Sequence, residues 1–170
     1  VNVSWVLRTG RLVLRPVAYG DLPDLAALKA DPTVYALMLG GVRTTAQTAA
    51  DLAEDIMFWG RHGVGLWAVR DASTEAFFGI TGLHLRGDGR GMALRMAFVA
   101  AAHGRGYASE AAGAALRFGH DRSGLRRIIG VSRETNIGSR MVLGAIGMVP
   151  CEVYERDGYK MMVYESVVDT

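Results

Sequence analysis

Two glycines one residue apart, Gly104 and Gly106, separate an apolar run from an Ala-rich stretch. The run Met96-Ala97-Phe98-Val99-Ala100 is short enough to be one buried strand. Beyond the glycines, Ala108, Ala111, Ala112, Ala115 and Leu116 recur at the spacing of one helix face. A strand, a Gly-rich turn and a helix in that order form an anion cradle. The first helical turn presents unpaired N–H groups at the positive end of the dipole, and glycine lets the backbone approach closely. His103, Gly104, Arg105, Gly106, Tyr107, Ala108 and Ser109 are therefore candidates to hold a phosphate or pyrophosphate. The P-loop ending Gly-Lys-Ser/Thr is absent, and Ser109 stands where GxGxxG needs its third glycine. The plain alternative is a tight connection that holds no ligand.

A second pair, Asn136 and Ser139, lies one turn apart on the same face of a helix start. Asn136 can be an N-cap and nothing more, with Ser139 a neutral helix position. Elsewhere, His62, His84, His103 and His120 show no metal-ligand spacing. Cys151 follows Pro150 in an apolar run and reads as a buried, inert thiol.

Several elements must position these residues. The alternation in 11–16, closed by Pro16, predicts a first strand, and Asp21 with Pro23 starts a short helix that faces inward through Leu22, Leu25, Ala26 and Leu28. Thr44-x-x-Gln47 is a capping box, followed by a helical face of Ala49, Leu52, Ala53, Ile56 and Met57 out to Trp59, with a break over 60–65. Strands are expected over 65–70, 77–86, 92–99, 125–131, 148–154 and 159–166, with a hairpin at Gly87-Asp88-Gly89 and a further helix over 137–146. That helix offers Met141, Leu143 and Ala145 for packing. The expected fold is α/β (α+β): a mixed, mostly antiparallel sheet of about seven strands flanked by four or five helices.

The 170 residues are half apolar and read as a single domain, 1–170, able to bury a proper core. A net charge of +2 without a basic stripe speaks against nucleic acid as a partner. One cysteine allows no internal disulfide and suits a reducing, cytoplasmic setting, and no apolar stretch is long enough to predict a membrane span.

The pattern Gln/Arg-x-x-Gly-x-Gly/Ala, read onto His103 to Ala108, resembles the pyrophosphate loop of the GNAT N-acetyltransferases, and GRGYASEA is close to that family's GRGYATEA. His103 departs from the usual Arg or Gln. The stretch Thr9 to Pro16, with Asp21 beyond, looks like the first strand of the RimJ/RimL-like branch. Asn136-x-x-Ser139 followed by Gly147-Met148 resembles the family's Asn-x-x-Ser/Ala…Gly-Phe segment. The element order also matches, so the resemblance covers nearly the whole chain.

The resemblance implies acetyl-CoA as cosubstrate, with no metal. It implies a pyrophosphate on the amides of residues 104–109, pantetheine contacts from Asn136, and a backbone N–H at Phe98 or Val99 facing the thioester carbonyl. It offers Ser139 to the departing thiolate. The acceptor is a primary amine, either a protein N-terminus or a small molecule, attacked directly in a ternary complex, and residues 35–41 lie on its side. The family's Glu and Tyr positions are Ala93 and Leu143 here. Deprotonation is thus left to water or to His84, Glu152 or Glu155. Homodimers are common in the branch. The rival reading is a GNAT-fold CoA-binding sensor or assembly module without catalysis.

Overall fold

The computed structural model describes residues 3–38 and 40–169. One eight-stranded sheet runs through it, in the order β1-β2-β3-β4-β5-β6-β8-β7. The strands are β1 (Leu7–Arg8), β2 (Leu12–Pro16), β3 (Leu66–Asp71), β4 (Phe77–Leu85), β5 (Met92–Phe98), β6 (Arg127–Arg133), β7 (Val149–Arg156) and β8 (Tyr159–Val167). The helices are α1 (Leu22–Ala30), α2 (Pro32–Tyr35), α3 (Thr45–His62), α4 (Tyr107–Asp121) and α5 (Ile137–Ala145). Neighbouring strands are antiparallel except β5 and β6, which run parallel and are bridged at Ala93↔Ile129 and Leu94↔Gly130. Past those residues the two strands part. This split is the feature that positions the site.

Each face of the sheet buries its own core. On one, the α4 residues Ala111, Ala112, Ala115 and Leu116 pack with Leu83, Leu94, Phe98 and Ile128. The small side chains let the helix axis come close to the strands. On the other, Leu25 and Leu28 of α1 and Leu52 of α3 cover Leu66, Ala68, Ile80 and Ala97. The Thr44–Gln47 capping box forms as expected, with Gln47 N donating to Thr44 Oγ1 and Thr44 N to Gln47 Oε1.

Close backbone packing at the centre of the sheet makes one position intolerant. A Cβ on Gly82 would sit 2.1 Å from Gly65 O and 2.6 Å from Leu66 Cα, both backbone atoms that cannot swing aside. Gly82→Ala is expected to lose more than about 4 kcal/mol of stability or to give no folded protein. Denaturant titration beside wild type checks this, and a loss under about 1 kcal/mol would show that β3 and β4 can slide apart.

Several expectations need correcting. The eighth strand is β1, two residues long and too short to show a period. Helix α3 continues through Gly60 to His62 and ends at Gly63, whose φ of 66° is the left-handed C-terminal conformation. Its inward face is also rotated from the expected one. Thr48, Leu52, Asp55, Phe58 and Trp59 are buried, while Met57 is 52% exposed. Strand β6 starts two residues late, because Leu125 N is used to bond Gly119 O at the end of α4. On α5 only Leu143 is buried, and Met141 faces out. Cys151 is exposed, not buried. It lies on β7, the last strand of the sheet, so its apolar run has no second neighbour to cover it.

Candidate active site

The loop that joins β5 to α4 has the shape the glycines suggested. Gly104 (φ 77°) and Gly106 (φ 79°) are both left-handed, which curls the backbone around Arg105. The first helical bond of α4 is Glu110 N to Gly106 O. The amides of residues 104–109 therefore find no acceptor among the described residues and are left as unpaired donors. The loop is braced from behind. The Arg11 guanidinium donates to Arg105 O at 2.9 Å, pairs with Glu110 at 2.8 Å and lies over the Tyr107 ring. Glu110 also accepts from the Thr9 hydroxyl and from Arg11 N, which holds its carboxyl below the usual range. Tyr107 in turn stacks on Phe78.

A cleft of about 520 Å³ opens where β5 and β6 part. Leu94, Arg95, Met96 and Ala97 line it from β5, and Val131, Ser132 and Arg133 from β6. Asn136 and Ser139 enter from the start of α5. Asn136 Oδ1 accepts from Ser139 N at 3.2 Å, so Asn136 caps the helix and lines the cleft at once. The Ser139 hydroxyl forms no hydrogen bond among the described residues. Tyr35, Leu37 and Met38, from the segment 35–41, supply another wall; Leu39 of that segment lies outside the described residues.

Strand alternation decides which amides face the split. Val99 N donates to Phe78 O at 2.9 Å, so it points towards β4 and is not free, against expectation. Met96 and Phe98, an odd number of residues away, direct their N–H groups to the β6 side. Of the two, Met96 lines the cleft and was missed; Phe98 is buried outside it. The His103 ring is folded back, with Nε2 donating to Phe98 O at 2.8 Å, so its side chain ties the loop to the strand end. Ala93 and Leu143 sit in the cleft wall as apolar surface. Glu152 is paired with Arg90, and neither it nor Glu155 lines the cleft.

The wall opposite the split is charged. Asp51, Glu54 and Asp55 of α3 face Lys29 of α1, Arg43, His84 of β4 and Arg95 of β5. Lys29 and Arg43 are both paired with Asp51. Asp55 is 8% exposed, and its Oδ1 lies 3.7 Å from His84 Nε2. Burial pushes the Asp55 carboxyl up to about 6 despite the pull of Lys29 and Arg95, and burial pushes the His84 ring down. Sequence reasoning missed Asp55. Its signal was an acid at the inward spacing Thr48-Leu52-Asp55-Trp59.

The raised Asp55 value carries a stability prediction. Between its unfolded value near 3.8 and about 6, the folded state keeps a proton that the unfolded chain has lost. Stability therefore falls as pH rises through that window and stays lowered above it, by at most roughly 3 kcal/mol. Asp55→Asn is expected to melt above wild type at pH 8, with the gap closing towards pH 4. A variant that melts lower at pH 8 would show instead that the ionised carboxylate is held favourably.

Among the described residues no helix is long and apolar enough to cross a membrane, and no group of His, Cys, Asp and Glu could hold a metal ion. The fold and site define a class, an acyltransferase with a split sheet and an amide-lined loop. The model of the acetyltransferase (GNAT) domain matches residues 11–149, and the chain belongs to that family of acetyl-CoA-dependent N-acetyltransferases. No curated protein sequence matches it. Among solved structures, an acetyltransferase from Agrobacterium tumefaciens is 26% identical, with TM-score 0.84 over 95% of this chain and 93% of that one. A GNAT acetyltransferase from Bacillus anthracis is 21% identical, with TM-score 0.83 over 95% and 98%. RimL, the ribosomal L7/L12 α-N-protein acetyltransferase, solved with coenzyme A, is 15% identical, with TM-score 0.83 over 96% and 98%. At that identity RimL shares the fold.

Proposed function

We propose that this protein is a single-domain N-acetyltransferase of the RimJ/RimL-like type. It moves an acetyl group from acetyl-CoA to a primary amine, a protein N-terminus or a small molecule, by direct attack in a ternary complex. One observation carries the reading: β5, which leads into the 104–109 loop, stays paired with β6 only at Ala93 and Leu94, and the cleft where the strands part is lined by both Ser139 and a charged opposite wall. Acetyl-CoA supplies the acetyl group as a thioester. The residue 104–109 amides and Arg105 would hold its pyrophosphate, and Asn136 its amide-bearing arm. The Met96 N–H, freed from the ladder, is a preorganised donor for the thioester oxygen, with Phe98 the next such amide along the strand. The amine nitrogen forms a bond to the carbonyl carbon as the C–S bond breaks. The ammonium loses two protons overall: one replaces the proton that Ser139 gives to the sulfur, and solvent receives the other.

The apolar Ala93 and Leu143 favour a second reading, a CoA-binding sensor. Free-thiol release from acetyl-CoA, with a tripeptide amide, spermidine and an aminoglycoside as acceptors, separates the two. Amine-dependent thiol release supports transfer. Calorimetric binding of CoA without any turnover supports the sensor.

A further inference from the structure

His84 and Asp55 confront each other without a proton between them. His84 Nδ1 lies 2.9 Å from Leu85 O, and a carbonyl can only accept, so Nδ1 carries the ring proton. In the neutral ring Nε2 is then a bare lone pair. It faces Asp55 Oδ1 at 3.7 Å, too far for a hydrogen bond. The ring cannot easily turn, because it stacks on Phe58 with centroids 4.1 Å apart. The carboxylate is buried, and neither group has another hydrogen-bonded partner on this side among the described residues. Two acceptors held face to face on a cleft wall call for a cationic donor with more than one N–H. A primary ammonium is that donor.

Building on the acetyl-transfer reading, we propose that Asp55 and His84 form the acceptor-amine site, with Asp55 anchoring the ammonium and His84 Nε2 taking its proton. The substrate class is an unhindered primary amine that enters as its ammonium ion. One N–H bond breaks, its proton bonds to Nε2, and the freed nitrogen lone pair forms the N–C bond. The new imidazolium remains beside the Asp55 carboxylate, so the step adds no net charge to the pocket. The proton then passes to solvent. Other charged and titratable groups face the pair from every side. Asp51, Glu54 and His62 lie on α3, Lys29 on α1, Tyr35 on α2, Arg86 beyond β4 and Arg95 on β5. Lys29 is drawn to Asp51, and Arg95 makes no ion pair among the described residues, so neither closes the gap.

The test combines kinetics with histidine-ring NMR. With whichever panel amine wild type acetylates, Asp55→Asn is expected to lose at least about a hundredfold in kcat/KM. Its acid limb moves to lower pH, and acetyl-CoA affinity stays within twofold. In wild type at pH 7.5 the ring nitrogens of His84 show the Nδ1–H form, and methylammonium chloride shifts Nε2; in Asp55→Asn it does not. Asp55→Asn activity within twofold of wild type, or a ring in the Nε2–H form, overturns the proposal. If no amine is acetylated yet methylammonium shifts His84 in wild type alone, the amine site stands and the transfer reading fails.

Discussion

Ser139→Ala is expected to lower kcat by ten- to a thousandfold and to leave the Kd for acetyl-CoA nearly unchanged. A donor to the departing sulfur interacts most strongly when charge develops there, so its loss falls on the transition state. The structure sharpens the expectation. Ser139 lines the cleft with its hydroxyl free among the described residues, while its backbone N–H is what Asn136 caps. The alanine variant therefore keeps the cap and the helix. A steady kcat would mean that the thiolate leaves unaided. A raised Kd with steady kcat would move Ser139 from the reaction to the binding shell.

Gly106→Val is expected to weaken CoA binding tenfold or more, measured by calorimetry on protein shown to be folded by circular dichroism. Gly106 is left-handed at φ 79°, a conformation that costs a β-branched residue about 1–3 kcal/mol. The loop would relax away from it, and the amide row of residues 104–109 would lose its curvature. A Cβ here would also lie 3.4 Å from Arg11 Nη2, against the guanidinium that braces Arg105 O. Arg105→Ala should cost less, with an effect that fades as salt rises, since an exposed guanidinium near phosphate acts as a screened point charge. Affinity unchanged in Gly106→Val would make the loop a mere connector.

Much of this site was legible locally. The loop reads from sequence because its chemistry is its own backbone, and glycine at the left-handed positions announces the curl. The Thr44–Gln47 box and the Asn136 cap read for the same reason, since each closes within three residues. The face of α3 did not read correctly. Ala, Leu and Met fit either of two overlapping stripes, and only packing against β3 and β4 chose the one that buries Asp55 and exposes Met57. Cys151 failed for a related reason, because burial of a strand depends on how many neighbours it has.

The sequence by itself determined the family, the order of the longer elements, the Gly-rich loop and the helix cap beside Ser139. Each rests on contacts between residues near one another in the chain, or on motifs that short-range geometry imposes. The tertiary structure decided which amide faces the split, since Val99 is tied to Phe78 and the alternation then frees Met96. It turned His103 away from the loop mouth to Phe98 O. It also set Asp55 against His84 across 29 residues of chain, one from a helix and one from a strand. Their meeting follows from α3 lying across β4, and no spacing in the chain encodes it. The acid is near neutrality there because the fold buries it, and burial is a property of the whole packed sheet.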